Sequence, residues 1–175
     1  NPYAAPRAPV GDIHVKARQP FRLWPPDGRI GRLRYLGYGL VLWFATVVVS
    51  AVLAVILGVA GSNDLVSLAP LLSVVLFVLV SLLLTIQRCH DVNWTGWLSV
   101  LSLVPLVNLV FGLLMLFMPG SAGANRFGAP PPANPWPVKI LATLAIVVFP
   151  LGILAAIALP AYQDYVTRAQ AAGRR

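Results

Sequence analysis

The one stretch that gathers reactive side-chain types is Arg88-Cys89-His90-Asp91. A cysteine beside a histidine can yield a thiolate nucleophile, and a His-Asp pair can move protons, so nucleophilic or acid-base chemistry is the first hypothesis to weigh. Three features count against it. Neighbouring residues on a helix point about 100° apart. The apolar runs hold no further acidic or histidine side chain to orient a base. Arg88 and Asp91, three apart, are spaced to pair with each other at a membrane surface while His90 caps or snorkels. A metal site drawn from His14, Cys89, His90 and Asp91 lacks ligand spacing. No catalytic residue, metal site or cofactor is therefore expected.

The rest of the chain explains why so few polar groups are available. Of 175 residues, 58% are hydrophobic and only 10% charged, whereas a soluble domain carries about 25% charged residues. A water-facing surface cannot be built from this composition. The net charge of +8 would suit nucleic acid, but no nucleic-acid-binding signature is present. Seven of the 13 Lys and Arg, namely Arg7, Lys16, Arg18, Arg22, Arg29, Arg32 and Arg34, precede the first apolar run. That pattern fits a cytoplasmic flank drawn to the anionic head groups of membrane lipids. With Cys89 the only cysteine, no intramolecular disulfide can form. The first 35 residues lack the apolar centre of a signal peptide, so the first span is expected to act as its own anchor.

Residues 1–27 hold six prolines and scattered charges with no periodicity, and read as a disordered, basic, Pro-rich tail. In Gly28-Arg29-Ile30-Gly31-Arg32-Leu33-Arg34-Tyr35 the arginines three apart would share a helical face, which suggests a short interfacial helix or elbow. Leu36 to Ala60 then runs 25 residues without a charge and Leu65 to Ile86 runs 22; about 20 suffice to span a bilayer. Helix is the only conformation that satisfies their backbone in lipid. The short polar connector Gly61-Ser62-Asn63-Asp64 makes the two an antiparallel hairpin, and the loop Gln87 to Gly96 follows. Trp97 to Met118 is a third apolar run, with Pro105 and Asn108 at its middle, and is either a kinked span or a re-entrant hairpin. Pro119 to Pro137 reads as an extended linker, its last part 129–137 separating the membrane domain 28–128 from a final unit 138–175. Val138 to Leu159 is again span length, bent at Pro150 and Gly152, and the tail after Pro160 can continue as helix beyond the bilayer.

The fold class is thus all-α, a polytopic membrane helical bundle with three or four transmembrane helices. The positive-inside rule places the N terminus in the cytoplasm. If the third run spans, eleven Lys and Arg lie inside and two outside; if it re-enters, ten lie inside and three outside. Charge barely separates the two topologies.

Three stretches in order, Gly28 to Tyr35, Gln87-Arg88-Cys89-His90-Asp91 with Gly96-Trp97, and Pro119-Gly120 through Asn125-Arg126-Phe127-Gly128, resemble the DUF805 family of small bacterial inner-membrane proteins over residues 21 to 131. The resemblance implies a location and an architecture, but no reaction. Where that family's motif carries leucine this chain has Cys89, a further point against a catalytic cysteine. If the third run re-enters, Gly28, Arg29, Gly31, Arg32, Arg34, Tyr35, Arg88, His90, Asp91, Asn125, Arg126 and Gly128 lie on one cytoplasmic face, where they can meet.

Residues 151 to 170, Leu-Gly-Ile-Leu-Ala-Ala-Ile-Ala-Leu-Pro-Ala-Tyr-Gln-Asp-Tyr-Val-Thr-Arg-Ala-Gln, resemble the N-terminal helix of type IV pilins. The positions that match a pilin's cleavage glycine, processed phenylalanine and assembly glutamate are Val138, Lys139 and Thr143 here, so prepilin processing is not expected. A pilin helix rests in the membrane with its Pro-Ala-Tyr end periplasmic, which favours the re-entrant topology. Gly152, Ala155 and Ala156, followed by Pro160, Tyr162 and Tyr165, form the candidate helix-interaction surface. Together these readings point to a non-enzymatic inner-membrane protein that modulates pilus assembly by engaging pilins or the assembly platform. Alternatives are a small-solute or anionic-lipid-handling protein and a membrane enzyme using His90 and Asp91.

Overall fold

The computed structural model describes residues 18–173. Residues 1–17 of the expected tail, with His14, and Arg174 and Arg175 lie outside the described residues. Three helices are long and apolar enough to cross a membrane: α1 (Arg32–Val59), α3 (Leu68–Asp91) and α5 (Trp136–Ala172). At about 1.5 Å per residue α1 and α3 measure about 42 and 36 Å, enough for a hydrocarbon core of about 30 Å. Between them lie a one-turn helix α2 (Asn63–Val66), a 3-10 helix (Gly96–Leu103) and α4 (Pro105–Phe117). Strands are absent among the described residues, as expected for an all-α chain. Large apolar side chains such as Phe44, Leu72, Leu106 and Ile153 point outward, as they do when lipid is the solvent.

α1 ends in a Schellman motif, because Gly61 adopts φ +73° and returns its amide to Gly58 while Ser62 bonds to Leu57. This reversal makes α1 and α3 an antiparallel pair. α3 ends the same way around Asn93, at φ 65°, with Trp94 donating to the Cys89 carbonyl at 2.8 Å. Gln87 to Asp91, expected in a loop, therefore form the last turn of α3, and the loop starts at Val92.

The third apolar run does not cross. It breaks at Val104, and Pro105 occupies the first turn of α4, where its missing amide is harmless, instead of kinking a continuous helix. Both ends of the run lie at the Asp91 end of α3: Trp94 bonds to Cys89, and Ser121 bonds to Asp91. The chain enters and returns on one side, which is the re-entrant alternative.

α5 begins two residues earlier than expected and runs parallel to α1. The Arg34 guanidinium donates to the Ala133 carbonyl just before α5 begins, and the backbone of Gly37 lies against Val138, Leu141 and Ala142. A Cβ on Gly37 would lie 3.0 Å from the Leu141 Cβ, so glycine permits the close approach. The described part of the tail is fastened: Gln19 bonds through its amide to Pro130 and through its side chain to Phe127, and Gln87 donates to the carbonyls of Arg22 and Leu23. Two glutamines thus tie residues 19–23 of the Pro-rich strip to the 127–130 loop and to α3.

Candidate functional site

The start of α1, the end of α3, both ends of the re-entrant hairpin and the start of α5 converge on one end of the molecule. A helix leaves its last four carbonyls without internal partners. At the end of α3 all four are met. Val92 bonds to Arg88, Trp94 to Cys89, Asn93 to His90 and Ser121 to Asp91, and the Asn125 side-chain amide adds a 2.8 Å bond to His90. The loop after α4 is therefore a cap for α3.

At the centre lies the Asp91 carboxylate. Its Oδ1 accepts from Arg29 Nη2 at 3.1 Å and Nε at 3.3 Å, and its Oδ2 from Arg88 Nη1 at 2.6 Å. Arg29, Arg88 and Asp91 are 2%, 0% and 3% exposed. Charges this deep persist only when their hydrogen-bonding capacity is filled. Arg29 fills all five donors, the remaining ones reaching the carbonyls of Ser121 (2.7 Å), Gly123 (2.8 Å) and Gly128 (3.0 Å). Arg88 donates to the Met115 carbonyl at 2.8 Å and to that of Met118. One arginine thus shapes the 121–128 loop and the other ties down the exit of α4. A side chain on Gly120 would overlap the Asp91 carboxylate, so only glycine lets the loop pass.

His90 stacks on Phe127 with ring centroids 3.8 Å apart and planes 12° apart. Its Nδ1 lies 3.3 Å from the Gly28 carbonyl and must be the donor, since a carbonyl only accepts. The Asn125 Oδ1 receives the Phe127 amide at 2.9 Å, closing a turn in which Gly128 adopts φ +107°. Arg126 lies 4.7 Å over the Phe127 ring and donates to the Asn93 carbonyl. The expected capping or snorkelling role of His90 is replaced by this stack, and the Arg88–Asp91 pair is buried instead of sitting at a surface.

The expected residues therefore divide. Gly28, Arg29, Arg88, His90, Asp91, Asn125 and Gly128 meet in one network, with Arg126 at its edge. Arg29 and Arg32 do not share a helical face: Arg29 precedes the helix in extended chain and is buried, whereas Arg32, just after the N-cap Gly31, is exposed and reaches the Phe117 carbonyl. Arg34 turns to the linker and to Tyr38. Tyr35 faces Thr85 inside the bundle, against the cluster of Cys89, Phe111 and Met115. Cys89 is fully buried there, its sulfur 3.9 Å from that of Met115. No three His, Cys, Asp or Glu side chains come together among the described residues. Gly152, Ala155, Ala156, Pro160, Tyr162 and Tyr165 are exposed on α5, far along the helix from this network.

Several participants escaped the sequence reading. Gln19 lies in no motif, Gln87 opens one without being marked as a site residue, and the carbonyls of Met115, Met118, Ser121 and Gly123 have no sequence signature at all. Gly120 was visible inside a quoted motif, but only the carboxylate beside it explains the residue.

The geometry is that of a clamp: a carboxylate held between two guanidiniums on both oxygens is not free to act as a base, and donors spent on carbonyls are not free for a ligand. The family described as a protein of unknown function, DUF805, matches residues 23–129. No curated protein and no solved structure matches the chain. The matched region is more than half of the chain and contains Arg29, Arg88, Asp91 and the carbonyls the two arginines hold, so this multi-pass membrane protein belongs to the DUF805 family.

Proposed function

We propose that this protein is a non-enzymatic interaction protein of the bacterial inner membrane, an accessory or modulator of type IV pilus assembly that acts through α5. The observation that carries the reading is the state of that helix. α5 measures about 56 Å at 1.5 Å per residue and is buried only at Val138, Ala142 and Ala145. From Ile146 to Ala172 every residue except Val166 is exposed. α1 holds the first part of the helix, through Gly37 and the Arg34–Ala133 bond, and the remainder is presented to the membrane and beyond it. Small residues at Gly152, Ala155 and Ala156 let a second helix approach closely, and this is the stretch that resembles a pilin helix.

Three crossings put the two ends of the chain on opposite sides. By the positive-inside rule the clamp faces the cytoplasm and the end of α5 faces the periplasm, the orientation in which a pilin helix is stored. A photoreactive residue at Tyr162 or Tyr165, 65% and 68% exposed, should crosslink to a pilin in piliated cells. Clean absence of pilin adducts removes the reading. A topology reporter fused after Arg175 should report the periplasm; a cytoplasmic signal rejects the orientation and with it the parallel to a stored pilin.

A further inference from the structure

The clamp carries two positive charges and one negative, so a net charge of +1 is buried there. A buried excess charge favours a counter-ion close by. Asp91 also lines a cleft of about 260 Å³, together with Arg18, Arg32, Ser121 and Pro131. Arg18 has no side-chain partner among the described residues, and Arg32 uses a single 3.3 Å bond, to the Phe117 carbonyl. Both are exposed. The Asp91 carboxylate that lines the cleft with them already receives donors on both oxygens, from Arg29 and Arg88. The positive end of α1 begins at the same wall, with no acidic residue in its first turn.

We propose that this cleft is a binding site for a phosphate-bearing anion, held between Arg18 and Arg32. Two arginine forks match the oxygens of a phosphate in a way that a single ammonium does not. The volume falls below the roughly 300–1,000 Å³ of pockets for drug-sized ligands, so it suits one phosphate group and its immediate ester. Depth agrees with a lipid source. Arg32 lies four residues before the charge-free run that starts at Leu36, about 6 Å along the helix, which is the level of a phospholipid phosphate. The site is independent of α5 and of any partner it engages.

Native mass spectrometry of the full-length protein in detergent tests this, with phosphatidylglycerol and, separately, inorganic phosphate as probes. The wild type should take up one equivalent saturably. The variant Arg18→Ala with Arg32→Ala should bind about tenfold more weakly, the scale of one lost bond to a charged group. A charge-matched control, Arg22→Ala with Lys139→Ala, should bind as the wild type does, since neither residue lines the cleft. Uptake of phosphatidylglycerol alone assigns the site to membrane phospholipid, and arginine-dependent uptake of inorganic phosphate assigns it to the free anion. Equal weakening in the two double variants means diffuse attraction and overturns the proposal, as does failure of the wild type to bind either probe. Because the four substituted residues are exposed, thermal unfolding should be unchanged in both variants, so lost binding is not lost structure.

Discussion

The two ends of this molecule are built on opposite principles. Around Asp91, the end of α3 is capped by the neighbouring chain, buried guanidiniums are engaged with acceptors, and glycines stand where any side chain would collide. Along the outer half of α5 every residue except Val166 is exposed, and a Cβ added at Gly152 would meet nothing within 4 Å. In lipid, apolar surface alone gives helices no reason to associate, so specificity comes from polar networks and close backbone contact. The clamp uses both. The outer half of α5 has neither from its own chain, and that difference separates the part that holds the fold together from the part available to others.

The comparison breaks most severely at Asp91. Asp91→Ala leaves two buried guanidiniums without their carboxylate, and removing one partner of a buried ionic cluster costs about 3–5 kcal/mol. The expected outcome is a collapse in the yield of folded protein and a large drop in thermal stability in detergent. An unchanged transition would show that the clamp does not hold the fold. Next in size is Gly120→Ala, whose methyl group must displace the carboxylate or the loop. Overpacking of this kind costs about 1–3 kcal/mol, readable as a lower transition temperature.

The two regions also differed in how legible they were. Helix class, the α1–α3 hairpin and the three motif stretches follow from runs of apolar residues and from Arg, His and Asp at fixed spacing, and such patterns are local. The third run could not be settled locally, because Pro105 suits a kink as well as a helix start; the choice lies in where Trp94 and Ser121 attach, on a helix that precedes both. Arg29 shows the same limit. Its type marked it as important, but its four acceptors span residues 91 to 128, and three are carbonyls that any residue could present. Gln87 and Gln19 act by holding backbone, for which no spacing rule exists.

A smaller effect sharpens the boundary of the clamp. Phe127→Leu keeps apolar bulk but removes the stack with His90 and the ring beneath Arg126. Aromatic pairs of this kind contribute about 0.5–1.5 kcal/mol beyond their buried area, so a modest loss of stability is expected. A loss as large as that of Asp91→Ala would place the stack inside the essential network and not at its edge.

The smallest expected effect on stability is the most informative about function. Gly152→Leu combined with Ala155→Leu places two bulky side chains on an exposed surface, with open space around Gly152. Exposed substitutions away from special contacts usually fall within about 0.5 kcal/mol, and in a helix leucine is more favourable than glycine. Thermal stability should therefore hold. Crosslinking from Tyr162 to a pilin should nevertheless fall, because bulk at these positions blocks the close approach that small residues permit. A drop in both quantities would mean that α5 is held by its own chain along its whole length, and the contrast between the two ends would fail. Stability kept with crosslinking lost is the outcome that a helix reserved for a partner requires.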